Sequence, residues 1–305
     1  MAQPVGSSLR ATRGQHMRTG FIGVGAMGVA MAGHAVRAGF DVAAYDHDAQ
    51  ALQNAKDAGA TAAKDLAELA GMCDLFVIMV ANDQQTRSVV ADLLALDLPQ
   101  DAVIVVAATN HPSTMIALAA DCAAKGVGFV DAPVCYGLKG AQDGDLISLC
   151  GGDAATIDRL RPVLLSYSRS VEHIGPVGCG QIAKTCNNMM HWAACVANFE
   201  TLALAKACGI DAQAMRQTLL KCPARNTTLE RWDTTSFTWQ EKDMDVALDV
   251  AQGMGVPLPL FGMVDQLVKR LKPADVRALL YGDTAHYLGT EIRAGALEQL
   301  SDSGT

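Results

Sequence analysis

Gly23, Gly25 and Gly28 stand in the spacing G-x-G-x-x-G, directly after the apolar pair Phe21-Ile22 and before a run of small residues suited to a helix. In that setting the first glycine permits a tight turn. The second lets the backbone approach a pyrophosphate, and the third lets the helix sit close to the strand. The helix N-terminus adds amide donors and a partial positive charge for the phosphates. The stretch Gly23, Val24, Gly25, Ala26, Met27, Gly28 therefore reads as a dinucleotide cradle, against the alternative of a glycine-rich turn without a ligand. Asp46 falls at the end of the next strand, where an acid accepts hydrogen bonds from ribose hydroxyls and repels a 2′-phosphate. No arginine follows it, only His47, Asp48 and Ala49, which favours NAD over NADP. The competing use of Asp46 is to cap the following helix.

The elements that must hold these residues alternate regularly. Strand patterns at 19–24, 41–45, 74–80, 102–107 and 128–132 are separated by helical patterns at 26–38, 49–58, 86–94 and 113–125. Runs such as DLFVIMV and AVIVVA are apolar throughout, as in strands buried on both faces. Later strands are expected at 146–150 and 170–174. This spacing implies an α/β Rossmann domain with a doubly wound parallel sheet. From 181 to 208 the pattern is one uninterrupted helix, roughly 40 Å long at about 1.5 Å per residue. Helices at 212–221, 242–254, 260–271 and 275–280 follow. The expected organisation is a disordered leader over 1–16, a dinucleotide-binding domain over 17–178, and an all-α C-terminal domain over 179–305 built on the long helix.

Composition narrows the function classes. The chain of 305 residues carries a net charge of −8, which disfavours nucleic acid or an anionic membrane surface as a partner. No apolar run suggests a membrane span, and the polar leader lacks a signal-peptide core. The nine cysteines are scattered without a C-x-x-C pair, so a reduced, cytoplasmic protein with no metal site is expected.

Four segments then carry a resemblance: GFIGVGAMG (20–28), DAPVCYGLKGAQDGDL (131–146), GCGQIAKTCNN (178–188) and KDMDVAL (242–248). In this order the chain resembles the β-hydroxyacid dehydrogenase family, which includes 3-hydroxyisobutyrate, tartronate semialdehyde and L-threonate dehydrogenases. The resemblance implies an NAD-binding domain like that of 6-phosphogluconate dehydrogenase and a homodimer or homotetramer. It implies oxidation of a small 3-hydroxy acid, or reduction of the matching semialdehyde. Lys184 matches the catalytic lysine, with Asn188 one helical turn on. Lys242 and Asp243 match a Lys-Asp pair that comes near nicotinamide and substrate. Thr109 matches a cofactor loop after the fifth strand, and Val80, Ala81 and Asn82 the loop under the nicotinamide ribose. The chemistry agrees. The nicotinamide takes a hydride, and a base must take the hydroxyl proton. A lysine does so only when its pKa falls toward neutrality, and a place in the first turns of an apolar helix favours that fall.

The match departs at one place. Where the family reads D-A-P-V-S-G-G, this chain has Cys135 and Tyr136, with Gly137 retained. That loop binds the substrate carboxylate in the family. Cysteine is the weaker donor, and Tyr136 adds bulk where glycine is free. A shifted carboxylate site is therefore expected. His191, seven residues past Lys184, is read as packing rather than pocket, while Trp232, Phe237 and Trp239 are candidates to close the pocket. Two alternatives stay open. Imine reduction uses the same fold, but those relatives generally lack the lysine. A non-catalytic NAD-binding module would predict its loss.

Overall fold

The structure, a computed structural model, describes residues 17–295; the expected leader at 1–16 lies outside the described residues. The chain divides into two compact units between Lys184 and Thr185. The long helix begins at Cys179, one residue past the boundary expected at 178.

The first unit runs β1 (Thr19–Ile22), α1 (Ala26–Arg37), β2 (Val42–Tyr45), α2 (Ala49–Asp57), β3 (Thr61–Ala62), α3 (Leu66–Met72), β4 (Leu75–Ile78), α4 (Asp83–Leu94), β5 (Val103–Val106), α5 (Pro112–Ala124) and β6 (Gly128–Asp131). It continues through β7 (Val134–Cys135), α6 (Gly137–Asp143), β8 (Leu146–Gly151), α7 (Ala154–Tyr167) and β9 (Ser168–Gly175) into α8 (Cys179–Ala207). The strand order is β3-β2-β1-β4-β5-β6-β8-β7, with β9 beside β8. The crevice where a doubly wound sheet binds ligands lies where the order reverses, at β1 and β4.

Strands β1, β4 and β5 are buried along their whole length, as the unbroken apolar runs of β4 and β5 require. Alternation of side chains divides each run between two cores. Leu75 and Val77 join Phe21 and the α1 and α7 side of the sheet, while Phe76 and Ile78 join Leu69, Leu93 and Met115 on the other. The sheet is predominantly parallel, as expected, with one exception. β8 runs antiparallel to both β6 and β7. The seven-residue helix α6 between β7 and β8 is too short for a parallel crossover, which needs about a dozen residues or more.

The second unit contains the rest of α8, then α9 (Ala212–Leu219), α10 (Thr227–Glu230), α11 (Gln240–Met254), α12 (Pro259–Val268) and α13 (Pro273–Tyr281). It is not all-α, because β10 (Thr284–Tyr287) and β11 (Thr290–Arg293) form an antiparallel hairpin. Their turn places Leu288 and Gly289 at φ 51° and 85°. Positive φ at both central residues suits a tight hairpin, but Leu-Gly lacks the Asn or Asp that usually signals it. Among the described residues, no helix is long and apolar enough to cross a membrane.

Candidate active site

The glycine loop is built by close approach. Gly23 takes φ 84°, and a Cβ there would meet the Met79 carbonyl at 2.5 Å. A Cβ on Gly28 would lie 2.0 Å from the Gly23 carbonyl, so only glycine lets α1 start here. Gly25 differs: a Cβ there would meet nothing within 4 Å, and as N-cap it leaves α1 without a side-chain cap. Ala26 is exposed and Met27 half-buried at the same end. The Val24 N–H donates to Asp46 Oδ2 at 2.8 Å, and Asp48 N donates to Asp46 Oδ1 at 2.9 Å. The cap of α2 is Asp48, not Asp46. A carboxylate has about four acceptor positions, so two bonds leave Asp46 able to accept more. Open space over an uncapped helix terminus, beside an acid with acceptor capacity, fits a pyrophosphate and a ribose.

Two loops follow at the ends of β4 and β5. Val80 packs partly on the second core, Ala81 N donates to Gln85 Oε1 at 2.9 Å, and Asn82 caps α4 by accepting from Gln85 N. Thr109 sits between two gripped peptide groups. Gln181 Nε2 donates to the Ala108 carbonyl at 2.9 Å, and Asn110 N donates to Gln181 Oε1 at 3.0 Å. Asn110 Oδ1 accepts from Thr86 Oγ1 at 3.1 Å. Asn110, Thr86 and Gln181 are all fully buried.

Lys184 rises from the first turns of α8, whose end is fixed from β6. The Asp131 carboxylate accepts from Gly178 N at 2.7 Å and from Gln181 N at 2.8 Å. Asp131 is fully buried, and a Cβ on Gly151 or Gly180 would stand 2.4 Å or 2.7 Å from its oxygens. Burial pushes its pKa up to about 6, against the opposing pull of the backbone amides. Lys184 Nζ reaches Cys135 Sγ at 4.0 Å. Burial raises the Cys135 thiol, and the charge on Lys184 pulls the other way.

Tyr136 takes φ 85°, a left-handed backbone that glycine adopts without cost. Its ring packs on the first core beneath the Arg169 guanidinium, 4.3 Å from the ring centroid, and Arg169 pairs with Asp145 at 3.0 Å. A Cβ on Gly140 would lie 2.5 Å from Tyr136 Cβ, so Gly140 makes room for the turn. Gly137, also left-handed at φ 59°, opens α6.

In the second unit, Asn188 is buried one turn past Lys184 on α8, its Oδ1 accepting from Asn187 Nδ2 at 3.0 Å. Lys242 and Asp243 stand in the first turn of α11, and Asp243 Oδ2 accepts from Trp192 Nε1 at 3.0 Å. His191 is engaged through Nδ1 with Thr228 and through Nε2 with Cys195, which matches the packing role. Trp232 is no pocket wall, because it is fully buried in the helical core with Phe237 packed on that core, while Trp239 is 54% exposed. Asp131, Gln181 and Asn110 carry no mark of their roles in the sequence. Asp131 and Gln181 lie in the quoted segments and Asn110 follows Thr109, but nothing local marks a polar residue that will be buried and paired across the fold.

A doubly wound sheet with an open glycine loop at its switch point is the architecture of a dinucleotide-binding domain. A family model for the NAD binding domain of 6-phosphogluconate dehydrogenase matches residues 18–175. A second, for the NAD-binding region of NADP-dependent 3-hydroxyisobutyrate dehydrogenase, matches residues 178–279. An uncharacterised oxidoreductase of Shewanella frigidimarina is 32% identical over 84% of this chain and 92% of its own length. L-threonate dehydrogenase of Cupriavidus necator is 30% identical over 81% of this chain and 88% of its own. The crystal structure of 3-hydroxyisobutyrate dehydrogenase from Salmonella typhimurium is 27% identical, with a TM-score of 0.75 over 83% of this chain and 93% of that one. The chain belongs to the β-hydroxyacid dehydrogenase family and is an NAD(P)-dependent oxidoreductase.

Proposed function

We propose that this chain oxidises a small 3-hydroxy acid with NAD, or reduces the corresponding semialdehyde, with Lys184 as the acid–base. The observation that carries this reading is Lys184 Nζ held 4.0 Å from Cys135 Sγ, on a helix whose first turn is anchored by a buried carboxylate. That places an amine beside the loop whose counterpart in the family takes the substrate carboxylate. When bound, the nicotinamide accepts or returns the hydride. The Lys184 amine takes the substrate hydroxyl proton during oxidation and gives it back during reduction. Cys135, the backbone of Tyr136 and Gly137 receive the carboxylate. Asn188, Lys242 and Asp243 take substrate-binding roles on the strength of the segments that match the family.

The cofactor is assigned to residues 23–28, Asp46, Val80, Ala81, Asn82, Thr109 and Lys242. NAD is preferred to NADP because Asp46 and Asp48, one pair of acids with no arginine beside it, oppose a 2′-phosphate. The acidic chain supports a small-molecule substrate rather than nucleic acid, and a cytoplasmic homodimer or homotetramer is proposed.

The test is direct. Protein is mixed with NAD and a panel including 3-hydroxyisobutyrate and L-threonate at alkaline pH, and absorbance of the reduced cofactor is followed. Turnover of at least one acid, lost in Lys184→Ala, is the expected result. Turnover undiminished by that substitution refutes the role of Lys184.

A further inference from the structure

The two peptide groups that flank Thr109 are both held by one side chain, and that side chain belongs to the helix of Lys184. Gln181 Nε2 donates to the carbonyl before Thr109, at 2.9 Å. Gln181 Oε1 accepts from the amide after it, at 3.0 Å. An amide that donates to one peptide and accepts from the next fixes both planes around the residue between them. A primary amide supplies both functions from separate atoms of one neutral group.

The grip is itself anchored. Gln181 N donates to Asp131 Oδ2, so the helix end cannot drift from β6. Asn110, whose amide Gln181 receives, is tied to Thr86 of α4 and reaches the Ala108 carbonyl with its own Nδ2 at 3.3 Å. Gln181 and Lys184 are three residues apart on α8, hence on neighbouring positions of one helix face.

We infer that Gln181 is a positioning residue that fixes the Thr109 loop relative to Lys184, setting the nicotinamide half of the cofactor against the acid–base amine. This rests on the reading above, in which Thr109 borders the nicotinamide end. The residue touches neither reacting atom, so its effect must pass through the loop. Gln181→Leu takes the acceptor from the buried Asn110 amide and one of two donors from the Ala108 carbonyl, and so loosens the peptides on either side of Thr109. Gln181→Glu keeps the shape and still accepts from Asn110 N, but it cannot donate to Ala108 as a carboxylate.

The measurement is calorimetric binding of NAD and, separately, of ADP-ribose, which has the same pyrophosphate and adenosine without nicotinamide. Wild type, Gln181→Leu, Gln181→Glu and Thr109→Ala are compared, with thermal melting as the check on folding. The Kd for NAD is expected to rise about ten-fold in both Gln181 variants, the scale of one lost buried hydrogen bond, while the Kd for ADP-ribose stays within about two-fold. If both ligands weaken together, or neither does, the positioning role is overturned. Should Gln181→Leu fail to fold, the Gln181→Glu comparison decides alone. Thr109→Ala separates the grip from the placement of the loop. A change in NAD binding there, with none in the Gln181 variants, refutes only the grip. No change in any of the three refutes the placement of Thr109 and the inference with it.

Discussion

Replacing Asp131 by asparagine removes a titration that the fold makes costly. The carboxyl has an ordinary value of 3.8 and is pushed up to about 6 in the folded chain, chiefly by burial. The folded state therefore binds the proton more tightly than the unfolded chain does. The stabilisation from that proton is complete below pH 3.8 and is lost as the pH rises through 6. The full span is worth about 3 kcal/mol, taking about 1.36 kcal/mol per unit. Of this, about 1 kcal/mol is lost between pH 5.5 and pH 7. That interval lies above the sequence pI of about 5.3, and its lower limit, where net charge is small, calls for dilute protein. The asparagine variant has no titration at this position, although its NH2 group opposes one of the two backbone amides at every pH. The assay is urea unfolding of wild type and Asp131→Asn at several pH values, followed by far-ultraviolet circular dichroism. Tryptophan fluorescence is the wrong probe, because Trp192, Trp232 and Trp239 all lie in the second unit and Asp131 in the first. Relative to the variant, wild type should lose about 1 kcal/mol between pH 5.5 and pH 7. Parallel curves over that interval would show that burial of Asp131 does not outweigh its two amide bonds, and the reasoning fails.

At the site itself, Lys184→Ala should lower kcat by about 10²- to 10⁴-fold with the cofactor Kd nearly unchanged; steady-state kinetics with calorimetry decide, and a pure Kd effect would contradict an acid–base role. Gly28→Ala forces a Cβ to 2.0 Å from the Gly23 carbonyl and should destabilise the first unit, whereas Gly25→Ala meets open space and should keep the melting temperature while weakening NAD binding. Equal loss of stability in both variants would refute the division between packing and cradle. Cys135→Ser supplies a stronger donor beside Lys184 and should lower KM for the preferred acid several-fold. Unchanged kinetics for every active substrate in Cys135→Ser and Tyr136→Gly would remove both residues from the specificity argument.

The features legible in the chain were those whose cause is local. A period of two or an unbroken apolar run marks β1, β4 and β5; small residues after Gly23, Gly25 and Gly28 mark α1; a long stretch free of proline marks α8. Each depends on neighbours within a few residues, so sequence alone determined the Rossmann unit, the helical second unit and the family. The tertiary structure decided the rest. Whether Asp131 meets the amides of Gly178 and Gln181 depends on where β6 ends relative to α8, a relation between segments 47 and 50 residues apart. The grip of Gln181 on the Thr109 loop spans 71 and 73 residues. Tyr136 could be left-handed only where Arg169 and Gly140 accommodate it, and Trp232 could be core only after the helices had packed. A hydrogen bond across the fold leaves no periodicity in the chain, because its partners are chosen by topology and by the exclusion of water around them.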